Sequence, residues 1–117
     1  MKPVKPIYLR CEYEETPLGL SNTRPLFSWS FSSTDRPGCQ SAYRIAAALS
    51  PEELEQGYYS VWDSGKVDCA DNFGIVYDGR QLRTAERIYW KVWIWDQDDN
   101  KSESDITWFE MGLLNVS

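Results

Sequence analysis

Histidine is absent from all 117 residues. That removes Ser-His-Asp and Cys-His nucleophilic machinery, the commonest zinc ligand and the one side chain that ordinarily titrates near neutrality. Any catalysis would rest on carboxylates, lysine or cysteine. Cysteine is scarce too: Cys11, Cys39 and Cys69 are an odd number and no two share C-x-x-C spacing, which argues against a disulfide framework and against a zinc site. They read as buried or half-buried free thiols in a reducing compartment. Arg10 beside Cys11 gives little support for an activated thiolate, because neighbours along a strand point to opposite faces.

Positive charge is also in short supply. Twelve basic residues face 18 acidic ones, net −6, and the lysines and arginines form no cluster of the kind that tracks a phosphate backbone. A nucleic-acid partner is not expected. No apolar run approaches the roughly 18 residues of a membrane span, so no membrane partner is expected either. The N-terminus, Met1-Lys2-Pro3-Val4-Lys5-Pro6, leads into Ile7-Tyr8-Leu9-Arg10 without the apolar stretch of a secretory signal; if Met1 is the true start, the expectation is a cytoplasmic chain. The length suits one domain and excludes a (β/α)₈ barrel, which needs about 250 residues.

What the chain does have is aromatic side chains: six Trp, seven Tyr and four Phe. They fall in alternating segments, which is the strand signal. Ile7, Leu9, Cys11 and Tyr13 share one face. Phe27, Trp29 and Phe31 alternate with Ser28 and Ser30. Tyr43, Ile45, Ala47 and Leu49 form another inward row. Shorter strands are expected at Tyr59 to Asp63 and Gly74 to Tyr77, and longer ones at Ile88 to Asp96 and Ile106 to Leu113, seven in all. Turn residues punctuate them at Thr16 to Gly19, Asp35 to Gly38, Asp63 to Lys66, Asp78-Gly79 and Asp96 to Asn100. Ser50-Pro51-Glu52-Glu53 combines an N-cap serine, proline at the first helical position and glutamate at the third, so one short helix is predicted over Pro51 to Gln56, with Gly57 closing it. The pattern predicts an all-β, immunoglobulin-like (fibronectin type III) two-sheet antiparallel sandwich filling residues 1–117 as a single domain.

The strand from Ile88 to Asp96 is unusual in having two apolar rows: Ile88, Trp90, Val92 and Ile94 on one side, Tyr89, Lys91, Trp93 and Trp95 on the other. A strand with one solvated face would be polar in its second row, so that row predicts a cover: a loop of the domain, another domain, a second copy, or a sugar stacked on Trp93 and Trp95. Tyr89, Trp93 and Trp95 are therefore the candidate interface or sugar-stacking residues. Trp62 with Tyr59 is a second candidate platform. Trp29 and Trp90 are expected in the core, while Trp62 and Trp108 stay open.

The acidic clusters read as solvated. Asp96, Asp98 and Asp99 fall in a surface hairpin whose spacing lacks the glycine-bearing loop of known calcium motifs; Glu12, Glu14 and Glu15 mark a strand end, and Glu52, Glu53 and Glu55 suit the start of a helix. No catalytic residue, metal ligand or cofactor is assigned. Asn100-Lys101-Ser102 and Asn115-Val116-Ser117 match the glycosylation triplet, a pattern short enough to arise by chance.

Seven stretches, Leu9 to Tyr13, Pro17 to Leu20, Pro25 to Trp29, Gln40 to Ile45, Val61 to Val67, Tyr89 to Asp96 and Trp108 to Leu114, resemble in order and spacing the N-terminal domain of bacterial α-L-rhamnosidases, glycoside hydrolases that release terminal α-L-rhamnose. The resemblance implies a fibronectin type III-like accessory sandwich preceding further β-sandwiches and an (α/α)₆ barrel that carries the catalytic acid and base. It implies downstream domains of the same chain as partners, with self-association of the isolated domain as another expectation. Two positions depart from the pattern. Ile88 stands where such domains often carry the tyrosine of a tyrosine corner, so that bond should be absent or supplied by Tyr89. Asp99 stands where the family tends to place glycine.

Overall fold

The computed structural model describes residues 6–12, 14, 19–20, 24–31, 40–96 and 101–112. They form eight strands and one helix: β1 (Pro6–Cys11), β2 (Leu26–Phe31), β3 (Gln40–Ala48), α1 (Pro51–Glu55), β4 (Trp62–Asp63), β5 (Ile75–Val76), β6 (Arg87–Asp96), β7 (Lys101–Glu103) and β8 (Thr107–Glu110). Two antiparallel sheets face each other. The smaller runs β1-β2-β5; the larger runs β4-β3-β6-β7, with β8 also on β6. This is the two-sheet immunoglobulin-like sandwich that the alternation predicts. The turns expected at Thr16 to Gly19, Asp35 to Gly38 and Asp96 to Asn100, and the positions Cys39, Asp98 and Asp99, lie wholly or mostly outside the described residues.

The core is aromatic. Phe27 on β2 meets the rings of Trp90 (4.6 Å between centroids), Trp62 (5.8 Å), Phe109 (5.8 Å) and Tyr77 (6.4 Å), so one side chain joins both sheets. Trp29 and Trp90 are buried as expected, but their indoles are treated differently. Trp29 Nε1 donates to Gln40 Oε1 (2.9 Å), and Gln40 Nε2 donates to the carbonyls of Cys69 (3.0 Å) and Asp71 (2.8 Å). The buried amide thus uses its acceptor and both donors, tying β2, β3 and the segment before β5 together. Trp90 Nε1 has no hydrogen-bond partner. Trp62, left open by the sequence, faces inward and packs on Phe27 and Tyr77.

Several expectations shift. Leu49, placed in the inward row of β3, is 46% exposed: β3 ends at Ala48, and the chain turns into α1 before Leu49 can face the core. Asp96, read as a solvated turn residue, is buried, because β6 runs its full ten residues and sets Asp96 opposite Gln40. The expected strand from Tyr59 shrinks to Trp62–Asp63, and the one from Gly74 to Ile75–Val76. β7 is an addition to the expected seven strands. The helix is as predicted but for its last residue: Ser50 Oγ accepts from Glu53 N (3.2 Å), and the Gly57 and Tyr58 amides return to the carbonyls of Leu54 and Glu53 (3.2 and 2.8 Å) with Gly57 at φ 80°.

Candidate functional site: the outer face of the larger sheet

β6 pairs with β3 from Gln40↔Asp96 to Ala48↔Tyr89, with one register shift near Ser41. This pairing puts Ile88, Trp90, Val92 and Ile94 into the core and lays Tyr89, Lys91, Trp93 and Trp95 on the opposite, outer face. Across from them on β3 stand Ala48, Ala46, Arg44 and Ala42. The alanines leave space above the sheet, and α1 fills part of it with Leu54, which is 1% exposed. Ala46, Ala48, Leu54 and Trp93 form a second small core, bordered by Tyr59, Tyr89, Trp95 and Ile106. The cover that two apolar rows require is therefore supplied, in part, by this domain's own helix and following loop.

Cations supply the rest. Arg44 lies 5.1 Å from the Trp93 ring and 5.3 Å from Tyr59, and Tyr59 meets Trp93 edge-on at 5.8 Å. Asp63 grips Arg44 with both oxygens, accepting from Nε (2.9 Å) and Nη2 (2.6 Å). These bonds hold the Asp63 carboxyl below its ordinary range and raise Arg44. Lys91 Nζ sits 4.7 Å from Trp93 and donates to Glu103 at 3.0 Å. Trp95, half-buried, has Lys66 at 4.9 Å and Lys101 at 5.8 Å. Tyr59 and Trp62 point to opposite faces of the sheet, so they do not form one platform.

The edge beyond β6 changes register. β7 pairs through Trp93↔Glu103 and β8 through Trp90↔Thr107, which places Ser104, Asp105 and Ile106 against only Lys91 and Val92. This is a β-bulge: one edge strand with an extra residue in its middle. Ser104 repairs the ladder. Its backbone N donates to Val92 O (2.9 Å), its Oγ accepts from Val92 N (3.0 Å) and donates to Asp105 O (2.8 Å). The bulge and α1 stand apart, leaving a trough of about 550 Å³ over Tyr89 and Lys91. Pro51 and Glu55 form one wall; the bulge and Trp108 form the other. Trp108 lies beside Tyr89 across the strands, with the Arg87 guanidinium 4.1 Å from its ring and Arg87 paired to Glu110 at 2.9 Å.

Of the three candidate residues, then, Tyr89 lines an open trough, Trp93 is buried under cations, and Trp95 is flanked by two lysines. Trp108 joins Tyr89 unannounced: its segment alternates plainly enough, but which row faces the trough follows from the bulge, for which the sequence carries no apolar signal. Elsewhere Glu86 pairs with Arg80 at 2.6 Å. No three metal-ligating side chains come together among the described residues. Cys11 is fully buried, and burial raises its thiol pKa, with Glu12 adding to the effect.

Residues 6–115 match the family described as "Rha78A-like, N-terminal immunoglobulin domain". This chain belongs to that family. A Rha78A-like domain is accordingly expected inside longer proteins, and the similar proteins have that form. An α-L-rhamnosidase of Formosa agariphila is 36% identical over 105 residues, 89% of this chain and 11% of that protein. The crystal structure of Streptomyces avermitilis α-L-rhamnosidase complexed with L-rhamnose superposes with a TM-score of 0.86 at 37% identity, covering 94% of this chain and 11% of the other. For the α-L-rhamnosidase from Dictyoglumus thermophilum the TM-score is 0.88 at 35% identity, with 95% and 13% covered. The Rha78A-like domain thus spans about a tenth of the length of the relatives it matches.

Proposed function

We propose that this domain is a non-catalytic, N-terminal module of an α-L-rhamnosidase and that it serves by packing on the neighbouring domains of the same chain. The observation that carries the reading is the disproportion of the match: nearly all of this chain aligns with about a tenth of proteins named for that activity. Four of the described carboxylates support it, because their geometry is that of clamps. Asp63, Glu86, Glu103 and Glu110 each hold a cation of a neighbouring strand or loop, whereas glycoside hydrolysis needs a carboxyl pair about 5–9.5 Å apart across a sugar-sized cleft. The test is hydrolysis of an aryl α-L-rhamnoside by the full-length gene product and by residues 1–117 alone. Activity in the former and none in the latter is expected. Turnover by the short piece, or none by the full-length product, would overturn the reading.

The alternative, sugar stacking on Trp93 and Trp95, needs a free ring face, and cations already lie over these rings. Titration with L-rhamnose should leave tryptophan fluorescence unchanged. Saturable quenching that disappears in Trp95→Ala would favour the carbohydrate-binding module instead.

A further inference from the structure

We infer that the point where the polypeptide leaves the sandwich is a stiff junction, built around Gly112, that fixes the orientation of this domain on the one that follows it. The inference rests on the reading just proposed in taking a further domain to follow, and it names the means by which the two are held. Residues 110–112 continue the line of β8 with partners on both edges. On one edge Leu20 N donates to Glu110 O (3.1 Å) and Gly112 N donates to Leu20 O (2.8 Å), a parallel bridge of Leu20 with Met111. On the other, Met111 N donates to Glu86 O (2.8 Å) and Ala85 N donates to Gly112 O (3.1 Å). Met111, between them, is buried. Both polar groups of the Gly112 backbone are thus bonded to the body of the domain, and its φ and ψ cannot swing without breaking those bonds.

Glycine near a domain boundary is ordinarily a source of flexibility. At Gly112 it serves close packing instead. A Cβ there would lie 2.9 Å from Gly19 O and 3.0 Å from Gly19 Cα, inside van der Waals contact, so the missing side chain is what lets the Gly19-Leu20 segment lie against the departing chain. The other edge holds strain: Ala85 keeps a φ of 59°, uncommon for a residue with a side chain, while its amide points at Gly112 O. The sequence then continues with Leu113 and Leu114, not with the Gly, Ser or Pro residues of a spacer. The family is that of an N-terminal domain, and this chain matches 11% of such a relative, so the direction set at Gly112 is passed on to a much larger body. Domains joined by an exposed, flexible linker move independently; a chain zipped on both edges up to its last bonded residue does not.

Time-resolved fluorescence anisotropy of the full-length chain tests this. A maleimide dye on Glu52→Cys, at an exposed position of α1, reports the rotation of the domain once peptide mass spectrometry has shown that the native cysteines are unlabelled. Rotation as slow as that of the whole chain is expected, and Gly112→Ala should add a component several times faster, as for a free domain of this size. A fast component with Gly112 in place would overturn the proposal. So would slow rotation retained in Gly112→Ala, which would assign the rigidity to side-by-side contact between domains. Hydrogen exchange on the same chains, read in the peptides of β3 and β6, shows whether the sandwich of the variant still folds. Where it does not, exchange in the unsubstituted chain decides: the Ala85 and Gly112 amides should be protected, and exchange at the rate of an unstructured peptide would overturn the junction. Aryl rhamnoside hydrolysis by the same preparations keeps the two readings apart. Slow rotation in an inactive chain defeats the enzymatic assignment alone, and fast rotation in an active one defeats the junction alone.

Discussion

Two tryptophans in one core differ by a single hydrogen bond, which makes them a matched pair. Removing the pyrrole N–H of Trp29 orphans Gln40 Oε1 between two sheets, whereas Trp90 Nε1 has no partner to lose. Trp29→Phe should therefore cost about 1–2 kcal/mol more than Trp90→Phe in urea unfolding, the volume lost being the same. Similar reasoning applies to Tyr77, buried and donating to the Arg80 carbonyl, with burial first among the causes that push its hydroxyl up to about 12. The bond closes the segment after β5 on itself through a buried tyrosine hydroxyl. Ala85 sits at φ 59°, in the left-handed region that costs a side chain about 1–2 kcal/mol, while its amide donates to Gly112 O (3.1 Å). Ala85→Gly should raise the unfolding free energy by roughly 0.5–1 kcal/mol in the same urea titration once glycine's own entropy is deducted.

At the scale of elements, the bulge between β7 and β8 rests on Ser104. Ser104→Ala should destabilise by about 1–3 kcal/mol by leaving the buried Val92 N–H without an acceptor. Hydrogen exchange at Val92 should accelerate accordingly. The Arg44–Asp63 clamp between β3 and β4 predicts an acid dependence. The folded carboxyl lies below the ordinary value of 3.8, so its contribution is complete above that value and is lost as pH falls through the lower folded one. Both partners are about a third exposed, 32% and 37%, so the contribution is only about 0.2–1 kcal/mol; Asp63→Asn should flatten the stability curve below pH 4 by that amount. The same elements show what was legible beforehand. Ser28 and Ser30 between Phe27, Trp29 and Phe31 announce a half-buried strand, and Ser50-Pro51 with Glu53 and Gly57 announces a helix, because each signal is local. Lys101-Ser102-Glu103 announces nothing: a three-residue edge strand is held by the ladder of β6, not by any pattern of its own. The candidate row on β6 was visible from composition, but whether Tyr89 or Trp93 stays uncovered depends on α1 and on a register shift that only tertiary pairing determines.

For the molecule as a whole, polarity is distributed unusually for a sandwich: aromatic side chains fill both the space between the sheets and a layer outside the larger one. Four cations, Arg44, Lys66, Lys91 and Lys101, are spent on that outer layer. The remainder of an already acidic surface is left correspondingly negative. Salt should therefore act unequally on two kinds of interaction. It should relieve the general self-repulsion of a −6 chain while leaving the half-buried cation–ring contacts nearly intact, because close, desolvated pairs are poorly screened. Thermal midpoints of the folded chain are expected to rise modestly with added sodium chloride; a fall would show that the outer layer depends on exposed charge.

The register change along β7 and β8 has one more consequence, for what the domain avoids. An exposed strand edge is a template on which another chain can add a strand, and the outer edge of β6's partner is broken at Ser104 to Ile106, with Lys101 and Glu103 on its first half. An incoming straight strand can satisfy either half of that edge but not both. The opposite edge of the larger sheet, β4, and the β5 edge of the smaller one are each two residues long. Fibril-like growth through these edges is thereby frustrated, so the larger sheet can carry its outer layer of tyrosine and tryptophan without recruiting copies of itself through either of its edges.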